Sequence, residues 1–176
     1  MKHKIILLVW LIINTTTLGS GCKKNKLSEL DKLPPVTQTG ANTFGCLING
    51  KAYMPGGWDG NHSNYRVFVD ASDSSLDIRT YNFETTVKLQ ITFGSSGLYS
   101  GINLSFNHVG RSTLGIANIN NCYIPVNDSV YRKGELKITR YDLQNGVVAG
   151  EFNCVIYKQG CTDTVKITNG RFDKKL

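Results

Sequence analysis

From residue 43 onward, the chain consists of short runs in which apolar and polar residues alternate, separated by Gly, Asn, Asp and Ser. The alternation is clearest in segments 87–93 and 102–107, where every second residue is Val, Leu, Ile or Phe. Because successive side chains of a strand point to opposite faces, this pattern predicts strands with one buried and one wet face. No later stretch keeps a helical period over ten residues, so we predict an antiparallel all-β domain.

Two-residue turns connect several of these predicted strands. Asn49-Gly50 separates segments 43–48 and 51–54, and this dipeptide is the strongest short hairpin signal because both positions of its turn need a positive φ. Asn145-Gly146 lies between strands predicted at 134–141 and 147–157. Further strands are predicted at 65–71, 76–83, 87–93, 102–107 and 122–126, and a last strand consists of segments 164–167 and 170–172, which gives about nine or ten in all.

Short turns favour pairing between strands that are neighbours in sequence, so we expect a meander. A sheet with one apolar face must then cover that face. It can do so as a β-sandwich or as a lipocalin-like barrel, and closure into a barrel removes the exposed edges. The alternation is the same in both architectures, so both remain open at this point.

The N-terminal region has the layout of an export signal. Basic residues at positions 2–4 precede an unbroken apolar run at 5–13, and small residues at 19–21 lead to Cys22. As a helix, the apolar run would reach only about 14 Å, against about 30 Å for a bilayer core. We therefore interpret residues 1–21 as a signal peptide rather than as a membrane-spanning helix.

A cysteine directly after small residues resembles the lipobox of bacterial lipoproteins, in which that cysteine carries the lipid. Here Leu18 lies one place further from Cys22 than the usual lipobox leucine, and Gly19 occupies its position. We expect lipidation of Cys22, with palmitate among its acyl chains, and attachment to a bacterial membrane at the periplasmic face or the cell surface. Secretion without an anchor is the alternative.

The mature chain is predicted to have two parts. Residues 22–42 are polar, contain Pro34-Pro35 and show little periodicity, which predicts a lipid-anchored flexible tether. Residues 43–176 are long enough for a single all-β domain with its own core.

The net charge of +7 lies largely at the two ends of the chain. Lys23, Lys24 and Lys26 follow the predicted anchor, where each would gain about 1 kcal/mol beside anionic headgroups. Nucleic-acid binding would need basic residues grouped within the domain, and the sequence has no such run. We therefore expect a membrane partner through the lipid on Cys22 and no nucleic acid.

Four cysteines remain after Cys22 is assigned to the lipid: Cys46, Cys122, Cys154 and Cys161. Export to an oxidising compartment permits disulfides, and four cysteines allow three sets of pairs. We predict at least one bridge and leave the pairing open. Cys154 shares the apolar phase of its strand, so a buried free thiol is the alternative there. No pair has metal-binding spacing.

Two segments, 33–50 and 150–176, carry a resemblance to a known family. The first contains TGANTFGC, one residue, then a branched apolar residue, Asn and Gly; the second contains DTV, one residue, IT, one residue, GRFD. Together they are similar to the first and last blocks of a family of exported, often lipid-anchored proteins of Bacteroidota-type bacteria, a domain of unknown function. The resemblance implies a class and a location. We interpret both blocks as architectural.

The sequence offers little catalytic chemistry. It has no nucleophile elbow, no phosphate-binding glycine loop and no zinc signature. The loop that starts at Asp59 has oxygen donors at alternate positions, but the flanking helices and the sixth-position Gly of a calcium loop are missing. We predict no catalytic residue, no metal and no cofactor.

Aromatic residues before, within and directly after the loop 57–64 suggest a binding surface. Tyr53, Trp58 and Tyr65 are predicted to offer exposed rings on which a sugar or another ring-bearing ligand could stack. We therefore expect a non-enzymatic binding module for a small molecule, a glycan or a protein. An architectural envelope lipoprotein without a soluble ligand is the first alternative, and a hydrolase with an unrecognised site is the second.

Overall fold

The computed structural model describes residues 27–72, 75–93, 98–106, 112–119, 122–124, 130–161 and 164–176. The predicted signal peptide, Cys22 and residues 23–26 lie outside this part. Within it, the chain forms eleven strands and no helix, which confirms the all-β prediction. The strands are β1 (Thr43–Ile48), β2 (Lys51–Tyr53), β3 (Tyr65–Asp70), β4 (Ser75–Tyr81), β5 (Lys88–Phe93), β6 (Asn103–Phe106), β7 (Ser112–Ile119), β8 (Cys122–Ile124), β9 (Tyr131–Asp142), β10 (Val147–Tyr157) and β11 (Val165–Lys175).

The strands form two antiparallel sheets that are not closed into a barrel. The larger sheet has the order β2-β1-β11-β10-β9-β6, and the smaller one has the order β3-β4-β5-β7-β8. Apolar side chains from both inner faces form one core, among them Ile78 and Leu114 of the smaller sheet and Leu136 and Ile167 of the larger. The architecture is therefore a β-sandwich, and the barrel alternative is dropped.

The predicted meander holds for most neighbouring strands but not for all. β3, β4 and β5 pair in sequence order, and so do β9, β10 and β11. β6 leaves this order, because it crosses to the larger sheet and pairs with β9. The first and last strands, β1 and β11, also pair, so that segments 33–50 and 150–176 lie side by side.

Two local features of the larger sheet follow from its Asn-Gly dipeptides. Asn49 and Gly50 have φ values of 49° and 79°, which confirms the predicted hairpin between β1 and β2. Asn169 has a φ of 52° but lies inside β11, where the register with β10 shifts. The predicted segments 164–167 and 170–172 are thus one bulged strand. A Cβ on Gly170 would lie 2.5 Å from Cε2 of Phe152, so this position requires glycine.

Residues 27–42, predicted as part of a flexible tether, pack against the domain instead. Leu33 is buried, and Glu29 accepts a hydrogen bond from the Ala52 amide of β2 at 2.9 Å. Further along, the Arg140 guanidinium donates to the Gln38 carbonyl oxygen at 2.6 Å. These contacts are mostly polar and involve the main chain, which is why apolar periodicity does not reveal them.

The buried carboxylate of Asp173 makes the densest of these contacts. It is 1% exposed and accepts five hydrogen bonds from residues 37–41. The Thr37 hydroxyl and the Gly40 amide donate at 2.7 Å, the Thr39 amide at 2.8 Å and the Ala41 amide at 3.1 Å. Burial alone would raise the pKa of Asp173, but these hydrogen bonds together lower it. The Asp173 carboxylate thus connects the end of β11 to residues 37–41, which precede β1.

Replacement of Asp173 by Asn should destabilise the protein. In Asp173→Asn, an NH₂ group replaces one carboxylate oxygen. This donor would face the backbone amides of residues 39–41, which need an acceptor. We expect the free energy of unfolding to fall by about 2–3 kcal/mol, measured by urea denaturation at pH 7. Glu151→Gln is the matched control, because Glu151 is exposed on the same sheet, and it should change stability by less than about 0.5 kcal/mol.

Wild type and Asp173→Asn together also test how the stabilisation by Asp173 depends on pH. Because the folded-state pKa is lowered, the stabilisation is fully present above the unfolded-state pKa of about 3.9 and is lost as the pH falls through the folded-state pKa. The gap in unfolding free energy between wild type and Asp173→Asn should stay constant down to about pH 5 and shrink below about pH 4. A gap that persists unchanged toward about pH 2 would contradict a role for the ionised carboxylate.

Candidate functional site

A groove of about 510 Å³ lies on the outer face of the smaller sheet. This volume falls within the range of about 300–1,000 Å³ that is usual for ligand pockets. Strands β3, β4 and β5 form its floor, and loop residues 59–63 together with Phe83 form its sides. The outer face of an antiparallel sheet is normally flat and wet, so the raised loop is what makes this face concave.

The polar phase of three strands supplies the floor of the groove. In β4 and β5, Ile78 and Leu89 point into the core, so the residues beside them point outward. The antiparallel register then places Arg66 opposite Arg79, and Arg79 opposite Gln90, in one row across the sheet. Neighbouring strands in such a row lie about 5 Å apart, so the two guanidiniums and the Gln90 amide lie side by side on the floor.

Two of the three cations in the floor are held by neighbouring side chains. The Arg79 guanidinium donates to Asp77 through Nε at 2.8 Å and Nη2 at 2.6 Å, and it lies over the Phe68 ring at 5.6 Å. The Lys88 ammonium lies 4.7 Å from the centre of the Tyr81 ring. Arg66 makes no hydrogen bond or ion pair with the described part of the chain.

The loop side of the groove is organised by Asp59. Its carboxylate accepts the amide hydrogens of Asn61 at 3.0 Å and His62 at 2.8 Å, and its second oxygen lies 2.8 Å from His62 Nδ1. The hydrogen bond from the Asn61 amide is the main cause that lowers the pKa of Asp59 to about 2. Asp59 is therefore ionised at neutral pH, and its carboxylate holds the conformation of its own loop through these hydrogen bonds.

The three aromatic residues predicted to bind a ligand do not form one exposed surface. Trp58 is 79% exposed, but Tyr53 and Tyr65 are each 6% exposed and belong to the core. The reason is their strand phase: Tyr53 ends β2 opposite Cys46, and Tyr65 starts β3 opposite Thr80, with both side chains on the inner face. Only Trp58 keeps a ring free to contact a ligand.

The two buried tyrosines differ in how their hydroxyls are bonded. The Tyr53 hydroxyl lies 3.0 Å from Thr80 Oγ1, whereas the Tyr65 hydroxyl has no hydrogen-bond partner in the described residues. Burial raises the pKa of both phenols, and the nearby Asp173 carboxylate adds to the shift of Tyr65. Both rings pack near Phe44, at centroid distances of 6.4 Å and 5.7 Å. Their role is therefore packing between the sheets.

Of the four cysteines predicted as disulfide candidates, Cys46 and Cys154 are free and buried. Burial raises the pKa of the Cys154 thiol to about 12 and that of Cys46 further, so neither is a nucleophile at neutral pH. These two candidates are therefore unpaired in the structure, and Cys154 is the buried free thiol named as its alternative. Cys161 is partly buried against the core, and the side chain of Cys122 lies outside the described part.

A second depression, of about 440 Å³, lies on the outer face of the larger sheet. Glu135, Lys137 and Glu151 line it, so its charges are mixed. Both carboxylates are exposed, and Asn153 donates to Glu135 at 3.3 Å. An exposed, internally paired polar face is the normal outer surface of a sheet, so this depression is the weaker candidate.

Sequence reasoning missed the residues that make the groove, namely Arg66, Arg79, Lys88 and Gln90. A signal for them exists, since all four lie in the polar phase of predicted strands. Their grouping depends on the register between β3, β4 and β5, which alternation alone does not determine.

Within the described residues, no group of three His, Cys, Asp or Glu side chains is placed to hold a metal ion. No helix in that same part of the chain is long and apolar enough to cross a bilayer. Comparisons with protein-family models, with curated proteins and with solved structures found no match to this chain.

Proposed function

We propose that this protein is a lipid-anchored module of a bacterial cell envelope that binds a ligand without chemical conversion. The groove on the smaller sheet is the observation that carries this proposal. It combines a volume suited to a ligand with three cations, amide and hydroxyl groups, and aromatic rings in one concavity. The resemblance of the two terminal segments to exported, lipid-anchored proteins supports the location.

The Asp59 carboxylate and the two free thiols favour binding over catalysis. A general base works best when its pKa lies near the operating pH, and the pKa of Asp59 is lowered to about 2. The free thiols Cys46 and Cys154 are buried away from the groove. What the groove offers instead is a set of donors held in place, with Arg79 fixed by Asp77 and Gln90 bonded to the same carboxylate at 3.1 Å.

An architectural envelope protein is the second candidate. The observation in its favour is the packed interior, where large side chains such as Phe106, Leu136 and Ile156 are almost fully buried. Ligand binding in the groove distinguishes the two candidates, because an architectural protein has no need of a ligand there.

A ligand screen with a blocked groove tests the binding function. We expect compounds that raise the thermal midpoint of the wild-type protein to lose this effect in Gln90→Trp, because the indole would fill the floor of the groove. Lys166→Trp is the matched control, since it places the same side chain on the exposed face of the other sheet, and it should respond like wild type. Hits that stabilise Gln90→Trp as well as wild type would contradict the proposed site.

The proposed anchor is close to the domain in sequence. Residue 27, the first described residue, follows Cys22 by five residues, and a fully extended chain of that length reaches at most about 18 Å. Since residues 27–42 pack on the sandwich, the lipid would hold the domain near the bilayer rather than on a long tether.

Replacement of Cys22 by Ala should abolish this anchoring. We expect the wild-type protein to sediment with membranes and Cys22→Ala to remain in the supernatant after ultracentrifugation at high salt, which screens the lysines beside the anchor. Cys46→Ala is the control, because it removes a cysteine outside the lipobox. Retention of Cys22→Ala on membranes would refute lipid anchoring.

We also propose a disulfide between Cys122 and Cys161. Two of the four candidates are free, and Cys161 is not a free thiol. The Lys158 ammonium donates to the Tyr123 carbonyl oxygen at 2.7 Å, so β8 and the turn after β10 lie close together. Such a bridge would connect an edge of the smaller sheet to the larger one and close a loop of about forty residues, for a stabilisation of about 4 kcal/mol in the chain-entropy account.

Mass spectrometry of the alkylated protein tests this bridge. Without reduction, we expect alkylation of Cys46 and Cys154 in the unfolded protein and a cross-linked peptide pair that contains Cys122 and Cys161. Reduction before alkylation should release the pair. Alkylated Cys161 in unreduced protein from an oxidising compartment would exclude the bridge.

A further inference from the structure

We propose that the groove on the smaller sheet recognises an acidic sugar, that is, a carboxylate-bearing ring within an oligosaccharide such as a uronic acid. This inference rests on the binding function proposed above and specifies its ligand class. Three properties of the groove support it: its uncompensated charge, the arrangement of its donors, and the aromatic rings at its side.

The charge is concentrated where two arginines face each other. Arg66 and Arg79 are direct cross-strand neighbours, and like charges at such positions are destabilising. Asp77 neutralises Arg79, but no acceptor in the described part of the chain neutralises Arg66. A bound anion between the two guanidiniums would relieve the repulsion. This is the feature of the groove that points most directly to an anionic ligand.

The donor geometry suits a carboxylate. A guanidinium presents its N–H groups as a planar fork that matches the two oxygens of a carboxylate, with charge-assisted hydrogen bonds about twice as strong as neutral ones. Lys88 adds a third cation from the adjacent strand. Arg66, Arg79 and Lys88 bring three positive charges, against the carboxylate of Asp59 in the lining and that of Asp77, which pairs with Arg79, so one positive charge remains in excess. The groove is therefore electropositive.

The remaining lining suits a sugar ring rather than a bare ion. Tyr81 and Phe83 form an edge-to-face pair with centroids 4.2 Å apart, which gives the groove an apolar side for the C–H groups of a pyranose. Gln90 and Ser63 lie in the same lining and provide polar groups for hydroxyls. Because the groove is on an outer sheet face, an oligosaccharide can continue beyond it.

Trp58 provides a spectroscopic reporter beside this site. It does not line the groove, but it is next to the lining residue Asp59 in the chain and its ring is 79% exposed, so an oligosaccharide that extends past Asp59 should change its environment. The sequence has one other tryptophan, Trp10 in the predicted signal peptide. In the full-length chain with Trp10→Phe, all tryptophan fluorescence therefore comes from Trp58.

The experiment titrates this full-length Trp10→Phe protein, in a nonionic detergent, with trigalacturonate and with the neutral trisaccharide maltotriose. We expect saturable binding of trigalacturonate that is at least about tenfold tighter than that of maltotriose and that weakens as salt is raised. Arg66→Gln should weaken binding of the acidic sugar by about tenfold or more. Arg66 has no partner in the described part of the chain and faces the like charge of Arg79, so this variant should keep its thermal midpoint or raise it.

Two controls separate the ligand class from the binding function. Arg171→Gln makes the same change in an arginine of the larger sheet and should bind trigalacturonate like wild type. Equal affinity for maltotriose, no weakening in Arg66→Gln, or equally tight binding of inorganic sulfate would overturn the acidic-sugar inference. So would absence of trigalacturonate binding. The proposed function fails separately, if the screen gives no ligand that Gln90→Trp abolishes.

Discussion

The buried carboxylate of Asp173 is the constraint on which much of this structure depends. A charge that is almost fully removed from water is unfavourable unless hydrogen bonds replace its hydration. Here the replacement comes from the hydroxyls and amides of residues 37–41, with no ion pair to any cation in the described residues. The segment before β1 must therefore keep one conformation, and β11 must present Asp173 at one position along the sheet.

The Asp173 contact fixes elements that in turn position the groove. β11 lies between β1 and β10, so its register aligns the centre of the larger sheet. Phe44 of β1 packs on Tyr65, the first residue of β3, and this contact aligns the two sheets. A bridge between Gly56 and Asn82 then holds the start of the loop 57–64 beside the end of β4. The groove is formed where that loop passes over the smaller sheet.

Features that depend on local sequence could be predicted, whereas features that depend on register could not. The alternation in segment 87–93 and the Asn49-Gly50 turn were enough to predict an all-β fold and the first hairpin. The formation of a sandwich rather than a barrel, and the crossing of β6 to the larger sheet, depend on pairing between distant strands. The alternation of apolar and polar residues does not encode this pairing. The docking of residues 27–42 was missed because polar and main-chain contacts hold it. The row of Arg66, Arg79 and Gln90 was missed because it exists only after three strands are aligned.

The packing of residues 37–41 on Asp173 has a mechanical consequence. If the N-terminus is held at a membrane, any pulling force on the domain enters through this segment. The force would pass the contact between Glu29 and β2 first and would then load several hydrogen bonds to the Asp173 carboxylate together, before it reaches the ladder between β1 and β11. Bonds that share a load resist it better than bonds that open one at a time. In an anchored protein, the cluster around Asp173 would therefore protect the two sheets and the groove from that force.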